Sequence, residues 1–465
     1  MLEITQVPAG ERSAAQRWLA PACVLMAAVP LAVVITAIAR YFVNVPFYEQ
    51  WWLIRLFADD REGRLDWRIF WDQLGDHRVV LPRVVMLLLA RVFHYNLWPE
   101  AWFSVGLACG ILAVLVWLAW PLMRGSVAMV ALPVLSLIVF SLSQWENWVW
   151  TLQLMFFMTL LFAVASLAVL ARNGRGTAAQ DWRRLAVATV LAVGASTSFS
   201  TGLATWPAGL VILLGLGRQR RDLARGAVWI AAAVGMAVAY KYGLRYSPTR
   251  PLTETLMAMP HRLIYYALAY LGAPLVPSAW HRAGAAVGVA TLLGTAGWLA
   301  FLWRREARCA GAVAPAIVSA VALVVFAVTA AAMTALGRVE HGIGQAMSPR
   351  YVTFSHTLYL ALVLALAWCL AGGARSRAGR LGAATALAML TLALAAASAR
   401  SVEGLRWRRA YIAEARDELF RLQDDQLLRR LYVDTRQLRE EFIPLARRHG
   451  LSIFRHEGGS ITKHN

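Results

Sequence analysis

Residues 311–336 read GAVAPAIVSAVALVVFAVTAAAMTAL, a run without one charged side chain. A helix of that length crosses the roughly 30 Å hydrocarbon core of a bilayer, and nothing in a soluble fold of ordinary composition calls for it. Similar runs recur on both sides, at about 19–39, 101–122, 127–143, 148–171, 184–200, 203–217, 226–243, 282–302, 351–371 and 381–399. The expected fold is therefore all-α: a polytopic transmembrane helical bundle of about eleven spans, within a range of about 10 to 13.

Composition agrees, with 59% of 465 residues hydrophobic and 15% charged. The acids are unevenly placed: of 26, seven lie in residues 40–80 and ten after residue 399. Three parts follow, a cytoplasmic N-terminus (1–18), a bundle (19–399) with a wet outer loop at 40–80, and a soluble outward-facing tail (400–465). The formal charge of +20 does not point to nucleic acid, because the arginines punctuate apolar runs instead of forming a basic face with interleaved aromatics. Cys23, Cys109, Cys309 and Cys369 sit in spans or at a basic edge with no CxxC, so neither a disulfide framework nor a zinc site is expected. The first run, Leu19 to Ala39, is as long as a full span and reads as an uncleaved anchor, although Ala37-Ile38-Ala39 resembles a cleavage site.

Basic short loops resist translocation, and four stand out: Arg172 to Arg184, Arg218 to Arg225, Arg304 to Arg308 and Arg375 to Arg380. Placing them in the cytoplasm with Arg12 and Arg17 leaves the first loop and the tail outside, provided one apolar segment before Gln144 does not cross. Val79 to Tyr95 is that segment, since Arg83, Arg91 and His94 make it an expensive span. Arg262 to Pro277, broken by Gly272, Pro274 and Pro277, reads as a second re-entrant piece. In the outer loop Phe47, Trp51, Ile54 and Phe57 recur at helical spacing, and Leu65, Trp67, Phe70, Trp71 and Leu74 form a further aromatic patch. Both are expected of interfacial helices at a membrane surface. In the tail Tyr411, Ala415, Leu419 and Leu422 mark one helix face opposite Arg416, Asp417 and Arg421.

Charged side chains beside the outer leaflet are the candidates for chemistry. Glu49, between Tyr48 and Trp51, is either a general base for an acceptor hydroxyl or a solvated charge on an interfacial helix. Asp76-His77-Arg78, followed by Arg83, is either a phosphate clamp or a set of snorkelling anchors. Gln144, Glu146 and Asn147, with Gln153, form either an interspan hydrogen-bond cluster or a substrate edge. Arg350 and Tyr351, in Ser348-Pro349-Arg350-Tyr351, stand at a helix lip suited to a lipid phosphate or to anchoring, as do Lys241, Tyr242 and Arg245. Glu49, Asp76 and His77 could share Mg²⁺ or Mn²⁺ with a diphosphate, though no tight ligand spacing marks a metal site. Walker, dinucleotide-binding and G-x-S-x-G motifs are absent.

These strings, Tyr48-Glu49-Gln50-Trp51, Gly75-Asp76-His77-Arg78, Gln144 to Asn147 and Ser348 to Tyr351, resemble those of C-type (GT-C) glycosyltransferases. The likeness is nearest to bacterial polytopic membrane proteins with a D-x-W-like first loop, an N-E-H-R-like segment, a Q-W-E-N motif and an S-R-Y segment. Glu49 stands where Asp is usual and Asp76 where Glu is usual, which keeps each carboxylate and changes its reach. The resemblance implies a polyprenyl-phosphate sugar donor, a glycan, lipid or protein acceptor, and transfer at the outer face of a bacterial inner membrane. Glu49 would then be the base, Arg350 and Arg78 the phosphate ligands, and Gln144, Glu146 and Asn147 the groups that orient hydroxyls. The rival readings are a transporter or flippase, which needs polar groups through the midplane, and a non-catalytic partner in polysaccharide assembly.

Overall fold

The computed structural model describes residues 14–123, 126–172, 177–216, 220–245, 252–310, 313–374 and 376–455. Arg12, Arg175, Arg218 and Arg375, which entered the charge rule, lie outside the described residues. Among the described residues the regular structure is helical apart from one two-residue antiparallel pair. In order come α1 (Ala14–Tyr41), α2 (Leu53–Arg61), β1 (Gln73–Leu74), β2 (His77–Arg78), α3 (Val80–Phe93), α4 (Trp98–Ala119), α5 (Ser126–Val139), α6 (Trp145–Val149), α7 (Leu154–Leu170), α8 (Ala178–Ser198) and α9 (Thr205–Leu216). Then follow α10 (Arg220–Lys241), α11 (Leu252–Ala258), α12 (Pro260–Gly272), α13 (His281–Ala310), α14 (Pro315–Arg338), α15 (Val352–Trp368), α16 (Arg377–Arg421) and α17 (Asp425–Arg429).

Among the described residues nine helices are long and apolar enough to cross a membrane, which makes the chain a multi-pass all-α membrane bundle. The two other expected spans are α8, whose first turns carry Asp181, Arg183 and Arg184, and α9, which has only 12 residues. Two further helices are short, as their sequences require. α3 has 14 residues and its arginines tie down the outer loop: Arg91 pairs with Asp60 at 2.6 Å and Arg83 donates to the Asp72 carbonyl at 2.6 Å. α12 has 13 residues and crosses α13 closely, since a Cβ on Gly272 would stand 1.9 Å from the Gly284 carbonyl oxygen.

The expected boundary at 399/400 falls inside one continuous helix. α16 runs for 45 residues, about 68 Å at 1.5 Å per residue, because no proline interrupts it and alanine and leucine favour helix throughout. Its distal half and the tail fold back on the outer loop. Trp51 stacks on Phe442 with ring centroids 6.4 Å apart, Trp52 Nε1 donates to the Tyr432 hydroxyl at 2.6 Å, and Arg55 pairs with Glu441. The stripe Trp51, Ile54 and Phe57, expected to face a membrane surface, is instead buried against protein. Trp67 and Trp71 remain exposed and are free to meet lipid.

Loop contacts also settle which helix ends share a side. The segment after α1 touches the tail, β2 reaches the α8–α9 turn through His77 and Ser200, and Asp76 pairs with Arg338 at the end of α14. Asn147 holds the start of α15. All these ends lie together.

At the opposite, basic end α8 and α10 are joined by ions. Arg225, 4% exposed, pairs with Asp181 at 2.8 Å and with Asp222, and Asp181 also meets Arg184 at 3.1 Å. Removing the shared cation takes one counter-charge from buried Asp181, which keeps Arg184, and one from half-buried Asp222, so Arg225→Leu is expected to cost about 3 kcal/mol. The check is the thermal unfolding midpoint of the purified full chain in detergent.

Candidate functional site

The centre of the site is a strained turn. Tyr48 adopts a φ of 50°, a left-handed conformation that non-glycine residues seldom take. Its N–H donates to the Leu431 carbonyl at 2.7 Å, so the tail holds the turn in place. The next residues are fixed from the bundle: Gln50 Nε2 donates to Thr151 Oγ1 at 2.8 Å, Thr151 donates to Glu100 Oε2 at 2.6 Å, and the Tyr95 hydroxyl donates to the Gln50 carbonyl at 2.8 Å. Between these supports Glu49 is half-buried, and its Oε2 is shielded with no hydrogen-bond partner among the described residues. Trp51 points the other way into the interface with the tail, so it does not flank Glu49 as its spacing suggested.

Facing this turn are two arginines. Arg350 lies over Tyr351 (5.2 Å from its ring centroid) and Trp150 (5.9 Å), within electrostatic reach of Glu146 and Glu49. Arg408, 9% exposed, lies 4.3 Å over the Phe47 ring and 5.9 Å over Trp150. Neither guanidinium stands within ion-pair distance of a carboxylate among the described residues, and Arg408 has no hydrogen bond there. The two neighbouring cations repel each other, Glu146 offsets part of that cost from beyond ion-pair distance, and an anionic ligand would offset more. Tyr48 completes the wall. Burial, then Tyr411 and Glu49, raise its phenol above the ordinary pKa, so at neutral pH it is a proton donor.

The Gln144 to Asn147 motif divides by role. Gln144 donates to the Val139 carbonyl at 2.6 Å and accepts from Thr353, while Asn147 donates to the Arg350 carbonyl at 2.9 Å and to Thr353 Oγ1 at 2.7 Å. Both are committed to setting the start of α15, and through it Arg350. Glu146 remains half-buried beside Arg350 and Arg408, with Ser348 donating to it at 3.3 Å.

A second group adjoins Arg350. Asp76 pairs with Arg338 at 3.2 Å, and Arg338 Nη2 stands 3.5 Å from His77 Nε2. Since arginine only donates, Nε2 is the acceptor and the proton of a neutral ring sits on Nδ1, which donates to Ser200 Oγ at 2.9 Å. Burial and the Arg338 charge hold the imidazole far below its ordinary pKa, hence neutral at pH 7. Arg78, expected to bind phosphate, is 3% exposed and spends its guanidinium on the carbonyls of Tyr240 (2.8 Å), Trp71 and Tyr242. Arg83 is used in the same way. Both fasten loop to bundle, and neither is available to a ligand. Glu49, Asp76 and His77 are not gathered as a metal site: among the described residues no three His, Cys, Asp or Glu side chains come together to hold an ion.

Arg408 and Trp150 were not singled out from the sequence. Arg408 was detectable, because Leu405, Ile412, Ala415 and Leu419 form the buried stripe of α16 and position 408 falls on it. A charge on an apolar stripe is the signal.

No family model matches the sequence, and no curated protein matches it either. Among solved structures, an oligosaccharyltransferase from Archaeoglobus fulgidus, crystallised with a tethered acceptor peptide containing the NVT sequon, aligns with a TM-score of 0.43 and 12% identity. The alignment covers 86% of this chain and 57% of that one, so this chain spans little more than half its length.

Proposed function

We propose that the protein is a membrane glycosyltransferase that moves a sugar from a polyprenyl-phosphate carrier to a hydroxyl acceptor at the outer face of a bacterial inner membrane. One observation carries the reading: Glu49, with a shielded oxygen that has no hydrogen-bond partner among the described residues, lies within electrostatic reach of Arg350, whose neighbour is Arg408, and neither arginine has a direct ion pair among those residues. That set is complementary to a proton donor on one side and a phosphate on the other. Glu49 takes the acceptor proton as the acceptor oxygen bonds to the anomeric carbon. The bond from that carbon to the phosphate oxygen breaks, and the electron pair leaves on the phosphate, whose charge Arg350 and Arg408 stabilise. Glu146 would meet sugar or acceptor hydroxyls, while neutral His77, engaged by Arg338 and Ser200, braces the wall beside it. The carrier's isoprenoid would lie among the helices, and the tail holds the Tyr48 turn from outside.

The donor site is tested by titrating a polyprenyl-phosphate sugar into the full chain in nanodiscs. Arg350→Ala should weaken binding more than Arg350→Lys, which keeps the charge and loses the two-pronged geometry. Equal binding by wild type and Arg350→Ala removes the donor site. Orientation is tested with a periplasm-active reporter fused after residue 460, expected to be active, and one at Arg221, expected to be silent. The reverse pattern would place the site in the cytoplasm and overturn outer-face transfer.

A further inference from the structure

At the end of the bundle opposite the candidate site, an apolar groove of about 380 Å³ opens between α13 and α14. Its α13 wall is Ala296, Leu299, Ala300, Trp303 and Arg304, the i, i+3, i+4, i+7, i+8 face of one helix, and its α14 wall is Val321, Val324 and Val325. Trp303 packs behind the groove so closely to α9 that a Cβ on Gly215 would stand 2.7 Å from it. The α13 face continues past the groove to Arg308, one turn beyond Arg304. Both arginines are exposed, and neither has an ion-pair partner among the described residues. From position 296 to 308 the helix rises about 18 Å, close to the thickness of one hydrocarbon leaflet.

The geometry points to a resident anionic glycerophospholipid, with one acyl chain in the groove and its phosphate on Arg304 and Arg308. A methyl-lined slot inside hydrocarbon takes a chain, and the cations at one end select the charge of the headgroup. The site is separate from the donor site, because α13 begins and α14 ends at the candidate-site end whereas the groove lies toward Arg304, and its test needs no turnover.

Native mass spectrometry of the full chain in detergent, titrated with phosphatidylglycerol and phosphatidylcholine of identical acyl chains, reads the site directly. Wild type should prefer phosphatidylglycerol by about five-fold or more, on the order of one charge contact. Arg304→Gln alters an exposed, unpaired side chain, so folding is unaffected, and should bring the ratio toward one. Ala300→Trp should fill the groove and lower retention of both lipids. An unchanged ratio in Arg304→Gln, or equal retention of both lipids by wild type, overturns the assignment. Should Ala300→Trp fail to fold, Arg304→Gln decides alone.

Discussion

Replacing Glu49 by Gln is expected to lower transfer by at least a hundredfold, toward the full 10²–10⁴ that a general base contributes. The substitution is nearly isosteric, and the turn is held by Gln50, Tyr95 and Leu431 without help from the Glu49 side chain. Expression, insertion and donor binding should stay at wild-type levels. Glu49→Asp, one methylene shorter, should keep partial activity. Complementation of a deletion strain at matched protein levels reads the result, and full rescue by Glu49→Gln would remove the base.

The second large effect concerns Arg408. A cation that is 9% exposed and has no counter-ion in contact is a cost to the fold, relieved in part by the rings of Phe47 and Trp150. Arg408→Met preserves length and apolar contact, so the unfolding temperature should hold or rise. Binding of the polyprenyl-phosphate sugar should fall by on the order of a hundredfold, since the phosphate loses a desolvated charge partner. A residue placed for stability would give the opposite pairing, a lower melting point with unchanged binding.

Much of the architecture was legible because lipid imposes a length rule that composition obeys openly. Runs such as 311–336 and 351–371 coincide closely with α14 and α15, and Val79 to Tyr95 forms the 14-residue α3, whose arginines bond to the first loop. The unbroken α16 was not legible, because an apolar-to-charged transition looks like a domain boundary although helix propensity continues across it. Side-chain assignments fared unevenly for a related reason. Spacing reports that Arg78, Arg350 and Arg408 are costly near a membrane, but not what repays the cost. Arg78 finds three carbonyls, while Arg350 and Arg408 lie against aromatic faces with Glu146 beyond ion-pair distance. Likewise Gln144 and Asn147 turn inward to brace α15, while Glu146 between them stays half-buried beside the two arginines.

If Glu49 and the two arginines carry out a transfer, the leaving group must appear as free carrier phosphate. Proteoliposomes of the full chain with native membrane lipid would be given a polyprenyl-phosphate sugar labelled in both sugar and carrier phosphate. Free polyprenyl phosphate should accumulate with wild type and be absent with Glu49→Gln. An intact donor that is merely redistributed between leaflets, equally by both proteins, would rule out transfer and make the chain a transporter.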